Sequence, residues 1–109
     1  MYDNSNRSSD MKLAHGFNYH QGPEWLWPTG YFLRSHLIYY SDHTTERDQA
    51  LRLVKNHLGK LHDRLYSSDW KSLPELTNQN GEECYFSCAA QAWSVATTLE
   101  VFYDLAHLN

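Results

Sequence analysis

Glu75 is, by type and context, a candidate to move a proton. It sits in Leu73-Pro-Glu-Leu-Thr-Asn78, followed by Asn80-Gly81 and then by Ser87-Cys-Ala-Ala-Gln-Ala-Trp93. Pro74 steers Leu73 away from the α region. Asn78, Asn80 and Gly81 favour turns and tolerate positive φ. The stretch from Leu73 to Cys84 is therefore expected to be a loop without regular structure. From Ser87 the residues change to helix formers: Ser87 is a good N-cap, and Ala89, Ala90, Gln91 and Ala92 have high helix propensity. Glu75 thus precedes a helix, with Trp70, Tyr85, Phe86 and Trp93 around it in sequence. Partial burial beside aromatic rings raises a carboxyl pKa and suits it to acid/base work. An ordinary solvated loop acid is the competing reading.

A second group lies upstream. His20, Gln21, Glu24, Trp25 and Trp27 place hydrogen-bonding side chains and two flat indoles within one short segment. Trp25 and Trp27 are either core residues or a wet platform with a polar tip, and the residue types alone leave both open. Gly16 and Gly22 permit sharp backbone geometry before Pro23.

These residues need elements to hold them. Pro28 fits only the first turn of a helix, so a helix is expected to begin near Trp27, after a short turn at Pro23 to Leu26, and to run to about Tyr40. Tyr31, Leu33, Leu37, Ile38 and Tyr40 give it a broad apolar face. Thr44 or Thr45 can cap the next helix, expected over Thr45 to Tyr66. Its apolar residues Leu51, Val54, Leu58, Leu61 and Leu65 step by three and four along one face. The short link makes it antiparallel to the helix before it. The third helix, Ser87 to Ala106, carries Ala92, Trp93, Ala96, Leu99, Tyr103 and Ala106 along the side expected to be packed. The twenty-odd residues between the second and third helices are long for a structureless link, and such loops tend to be functional. Residues 1–12 are polar and expected to be loosely ordered, with the helical unit at 13–109.

Two blocks in this order resemble the C-terminal part of the amylo-α-1,6-glucosidase domain of eukaryotic glycogen debranching enzymes. One is Phe17-Asn-Tyr-His-Gln-Gly-Pro-Glu-Trp-Leu-Trp-Pro-Thr-Gly-Tyr-Phe-Leu-Arg34. The other joins Leu73-Pro-Glu-Leu-Thr-Asn78 to Phe86-Ser-Cys-Ala-Ala-Gln-Ala-Trp-Ser94. The resemblance implies an all-α fold, the last helices of an (α/α)6 six-hairpin barrel left incomplete in this chain. It implies an inverting glucosidase that removes the α-1,6-linked glucose at a branch of glycogen or limit dextrin. Inversion uses two carboxyl groups about 6.5–9.5 Å apart, one protonating the leaving oxygen and one activating water. The resemblance makes Glu75 the base and leaves the acid, an Asp, upstream of this chain, so that the piece alone is expected to be inactive. It also makes His20, Gln21, Glu24, Trp25, Trp27 and Asn78 substrate ligands: indoles stack on apolar pyranose faces while polar groups meet the hydroxyls. The parent would carry a 4-α-glucanotransferase activity in a separate N-terminal domain, and its location would be cytoplasmic. A fragment of another six-hairpin glycosidase, glucoamylase-like or trehalase-like, and a noncatalytic saccharide-binding fragment are the alternatives.

Composition is consistent with this and excludes other classes. The 109 residues allow one small domain. Mean hydropathy of -0.68 and net charge of -4 describe a mildly acidic chain without a basic stripe, which disfavours nucleic acid. No apolar run reaches the length of a membrane span. The lone Cys84-x3-Cys88 lacks the second ligand pair of a zinc site, and the histidines are scattered, so no metal and no cofactor are expected. Two reduced thiols suit a cytosolic setting.

Overall fold

A computed structural model describes residues 10, 24–40, 44–78, 81, 82, 84 and 87–108. The polar segment 1–12, apart from Asp10, and the loop from Leu13 to Gly22, with His20 and Gln21, lie outside the described residues.

Three helices make up most of the fold: α1 (Trp27–Tyr39), α2 (Thr44–Ser67) and α3 (Ala92–His107). Pro28 stands in the first turn of α1, where its missing N–H removes nothing the helix would use. The Thr29 amide donates to the Leu26 carbonyl at 3.0 Å and closes that turn. In α2 the three-and-four spacing behaves as its period requires. Val54 and Leu58 are buried and Leu51, Leu61 and Leu65 half-buried, while Arg52, Lys55, Lys60 and Asp63 are exposed.

The helices meet in one apolar cluster: Leu33 and Leu37 from α1, Val54 and Leu58 from α2, and Val101 from α3. The contacts fix the directions. Gly30 lies against Thr97, and four residues further on Arg34 bonds Glu100 and Asp104, so α1 and α3 run parallel. Leu37 and Tyr40, at the end of α1, share a crevice with Arg47 and Leu51 at the start of α2. Leu61 and Leu65, near the end of α2, share another with Val95 and Thr98 near the start of α3. The middle helix is thus antiparallel to both neighbours.

Gly30 explains how closely α1 and α3 approach. A Cβ there would stand 2.5 Å from the backbone carbon and oxygen of Thr97, well inside contact distance. The face of α3 turned inward is correspondingly small and partly polar: Ser94, Thr97, Thr98 and Val101. This corrects the expected packing of that helix. Ala92, Trp93, Ala96, Leu99, Tyr103 and Ala106 are not the buried face, and Leu99 is 65% exposed. On α1 likewise only Leu33 and Leu37 of the apolar face are buried, and Ile38 is 67% exposed. The chain leaves much of the apolar surface of both parallel helices uncovered.

The third helix also starts later than Ser87. The Ser87 amide and hydroxyl both donate to the Cys84 carbonyl, at 3.1 and 2.9 Å, and make a local turn instead of a cap. The backbone from Cys88 to Gln91 is committed elsewhere, because the Cys88 carbonyl accepts from the Glu75 amide and the Gln91 amide donates to the Leu73 carbonyl, each at 2.8 Å. Tertiary hydrogen bonds outweigh the few tenths of a kcal/mol by which alanines favour helix.

Candidate functional site

The loop expected to lack regular structure contains a two-residue strand. β1 (Glu24–Trp25) pairs antiparallel with β2 (Leu76–Thr77), Glu24 opposite Thr77 and Trp25 opposite Leu76. The pairing extends one residue beyond the ladder, where the Leu26 amide donates to the Glu75 carbonyl at 3.1 Å. Two segments about fifty residues apart in the chain, the one with Trp25 and Trp27 and the one with Glu75, are joined by backbone. Leu73 and Leu76 anchor the loop with no exposed surface, and Pro74 is buried beside them. Glu75 is half-buried between these apolar residues.

Glu75 is held on three sides by main chain. Its carbonyl accepts from Leu26, its amide donates to the Cys88 carbonyl at 2.8 Å, and its Oε2 accepts from the Cys88 amide at 3.4 Å. The main-chain bonds fix where the Glu75 backbone sits, and the longer contact from the Cys88 amide favours one direction for its carboxylate. Beyond β2 the chain turns at once. The Gly81 amide donates to the Asn78 carbonyl at 3.1 Å, the Asn78 amide donates to the Glu82 carbonyl at 2.8 Å, and Gly81 takes the positive φ of 75° that the turn needs. Asn78, expected as a substrate ligand, is only 2% exposed, so in this chain its side chain is packed into the loop rather than offered to a ligand.

The indoles gather at the other end of the ladder. Trp93, from the first turn of α3, meets Trp25 edge-on with ring centroids 5.8 Å apart and Trp27 at 5.7 Å with a tilt of 31°. Trp27 in turn meets Tyr31 edge-on at 6.1 Å. These are favoured aromatic geometries. Trp93 nevertheless keeps 42% of its surface, and Trp25 and Trp27 are half-buried. The cluster is therefore an open aromatic surface rather than a closed core. Sequence reasoning misses Trp93 as a candidate ligand. Its signal is its place shortly after the Glu75 loop, but no spacing rule ties it to Trp25. Glu24 is exposed at the start of β1. Tyr85 and Phe86, like His20 and Gln21, lie outside the described residues.

Among the described residues no three His, Cys, Asp or Glu side chains converge as metal ligands, and no helix is long and apolar enough to cross a membrane. The arrangement offers a positioned carboxylate and an open indole surface carried by paired segments, a combination suited to acid/base chemistry on a ligand with flat apolar faces.

Comparison with known proteins agrees with the two sequence blocks. The family model described as amylo-alpha-1,6-glucosidase matches residues 1–100. The chain is 41% identical over 113 aligned positions to the glycogen debranching enzyme of Saccharomyces cerevisiae, a match that covers 95% of this chain but 7% of that relative. The match takes in both the Glu75 loop and the tryptophan segment that pairs with it, and on that ground the chain belongs to the amylo-alpha-1,6-glucosidase family.

Proposed function

We propose that this chain is one part of a glycogen debranching enzyme, contributing the general base and part of the sugar cleft of an inverting α-1,6-glucosidase. The observation that supports the reading most is the backbone bond from Leu26 to Glu75, which sets the carboxylate-bearing loop beside the Trp25 and Trp27 segment. In this reading Glu75 takes a proton from the water that attacks the branch-point glucose. The open surface of Trp25, Trp27 and Trp93 carries an apolar sugar face. Glu24, with His20 and Gln21 from the segment before it, meets hydroxyls, and Asn78 shapes the loop that presents Glu75.

An inverting reaction needs a second carboxyl group as acid, about 6.5–9.5 Å from the base. We assign that acid to a part of the parent enzyme outside these 109 residues, along with the remaining helices of an (α/α)6 barrel, any 4-α-glucanotransferase site and a cytoplasmic setting. The parallel pair α1 and α3, with α2 antiparallel and their apolar surfaces uncovered, supports a place in such a ring. The chain alone would then bind sugar without hydrolysing it.

The test uses the full-length parent enzyme and a substrate with a single α-1,6-linked glucose. Loss of glucose release in the Glu75→Gln variant, with transferase activity retained, is the expected result. Normal glucose release by that variant would end the assignment. Glucose release by the isolated chain would show that it carries both carboxyl groups.

A further inference from the structure

We propose that a cavity between the end of α2 and the returning loop is a second saccharide-binding site, one that takes a glucosyl unit of an α-glucan chain. The cavity holds about 300 Å³ and is lined by Arg64, Ser67, Asp69, Trp70, Cys84 and Ser87, among others. That volume is at the lower end for small-ligand sites, which run from about 300 to 1,000 Å³. It shares no lining residue with the group formed by Glu75, Trp25, Trp27 and Trp93.

The chemistry of the lining selects the ligand. Arg64 and Asp69 oppose each other in sign, so an anion meets Asp69 and a cation meets Arg64. A neutral polyol satisfies both, accepting from the guanidinium and donating to the carboxylate. The Nε of Arg64 is buried and has no hydrogen-bond partner among the described residues. A buried donor left unpaired is unfavourable, and a turn of the guanidinium into the cavity that Arg64 lines would let a ligand hydroxyl pair with it. The hydroxyls of Ser67 and Ser87 donate to the carbonyls of Arg64 and Cys84 at 3.2 and 2.9 Å. With their protons spent inside the chain, both present acceptor lone pairs to a ligand. Trp70 supplies the apolar component. It lines the cavity and is 72% exposed as a residue, and an exposed large aromatic beside convergent polar groups marks a binding surface. One flat ring, a donor, a carboxylate acceptor and two hydroxyl acceptors match a pyranose, whose C–H faces are apolar and whose rim is hydroxyls.

The choice of glucose as the sugar rests on the proposed function; the site itself does not depend on Glu75. The full 109-residue chain is titrated with maltotriose while the indole N–H signals of its four tryptophans are followed by NMR, each assigned from a Trp→Phe variant. The Trp70 signal should shift saturably. Arg64→Met should weaken that binding roughly tenfold or more as read at the Trp70 signal, and Trp70→Ala should do the same as read at the backbone amide signals of Ser67 and Ser87, which also line the cavity. Glu75→Gln should leave it unchanged, and inorganic phosphate should not compete. Because Trp70 is largely exposed, Trp70→Ala retains the helical circular dichroism of the parent chain and decides the matter if Arg64→Met unfolds. A Trp70 signal that stays fixed at about 10 mM maltotriose, a range that still detects weak binding, overturns the proposal, as does displacement by phosphate. Movement of the Trp25, Trp27 and Trp93 signals with Trp70 unmoved would keep the first cleft and remove this one. The converse would remove the first cleft and keep this one.

Discussion

Glu75 and Cys88 hold each other through two contacts: the Glu75 amide donates to the Cys88 carbonyl at 2.8 Å, and the Cys88 amide reaches the Glu75 side-chain Oε2 at 3.4 Å. The clamp uses only backbone atoms of Cys88, so its thiol is not needed to position the carboxylate. The Cys88 sulfur points to a local acceptor instead, the Ala90 carbonyl at 3.2 Å.

If Glu75 is the base, removing its charge while keeping its shape should separate chemistry from folding. Glu75→Gln in the full-length enzyme is expected to lower kcat for glucose release by about 10²–10⁴, the usual contribution of a positioned base. The amide side chain still has an oxygen to accept from Cys88, so the thermal midpoint should move little. A fall in midpoint that matches the fall in activity would assign Glu75 to the structure alone.

The clamp itself is open to test at Cys88. Cys88→Ala preserves the amide and should leave kcat near that of the parent enzyme. Cys88→Pro removes the donor to Glu75 Oε2 and should lower kcat by roughly tenfold or more, since small misplacements of a reacting group are costly. Equal losses in the two variants would place the effect in the thiol and contradict the geometry.

How much of this was legible in the residues differs from element to element. The second helix was readable because one physical rule decides it: Leu51, Val54, Leu58, Leu61 and Leu65 repeat at the helical period and bury together. Pro28 likewise announced the start of α1 by what it cannot do. The inward face of α3 was not readable by hydrophobicity. Gly30 brings the α1 backbone so close that only a face of small side chains fits, and Ser94 and Thr97 occupy it in place of the larger apolar stripe. The pairing of Glu24–Trp25 with Leu76–Thr77 was hidden for a different reason. Two residues carry no periodic signal, and their partners are set by the tertiary fold. Ser87 has every local mark of an N-cap, yet its hydroxyl serves the Cys84 carbonyl. For the site, the family resemblance singled out Glu75 and the tryptophan segment, whereas the contact of Trp93 with both Trp25 and Trp27 is visible only in three dimensions.

The close approach of α1 and α3 gives a stability prediction. Alanine favours a helix interior over glycine by up to about 1 kcal/mol. At Gly30 that gain is outweighed, because the new methyl would sit 2.5 Å from the Thr97 backbone, which cannot rotate away as a side chain can. Gly30→Ala should destabilise by about 1–3 kcal/mol net, in line with overpacking elsewhere. Urea unfolding should show a lower midpoint at an unchanged slope. Gly59 is the control, because a methyl added there would meet no atom within 4 Å: Gly59→Ala should raise the midpoint.

The turn after α2 stores strain that can be relieved. Lys71 has φ of 48°, a conformation in which any side chain crowds its own backbone. The Ser68 hydroxyl enforces the turn by accepting from the Ser72 amide at 3.0 Å and donating to the Ser72 carbonyl at 2.9 Å. Lys71→Gly should stabilise by roughly 0.5–1 kcal/mol, the left-handed penalty less the added freedom of glycine in the unfolded chain. The exposed bond from Lys71 Nζ to the Tyr66 carbonyl offsets part of that gain. A β-branched replacement, Lys71→Val, should lower the midpoint, and a rise with Val would show that the turn is not strained.

Arg34 ties the two parallel helices electrostatically. Its Nε donates to Asp104 Oδ2 at 2.6 Å and its Nη1 bonds Glu100 Oε2, so one guanidinium of α1 spans two carboxylates one turn apart on α3. The hydrogen bond to Asp104 is the main cause that raises the Arg34 pKa above its ordinary value, with the charges of Asp104 and Glu100 adding to it and burial opposing. A group whose folded pKa is raised contributes stability that is fully present below its unfolded value and is lost only as pH rises through the folded one. For arginine that window lies above about pH 12. The stability difference between the parent chain and Arg34→Met should therefore be flat from about pH 7 to 10. It should shrink in 1 M salt, where the screening length falls to about 3 Å, because all three side chains retain contact with solvent. Unfolding midpoints in low and high salt at two pH values measure both effects. A difference that survives 1 M salt intact would assign the role of Arg34 to the packing of its aliphatic stem against α3 rather than to its charge.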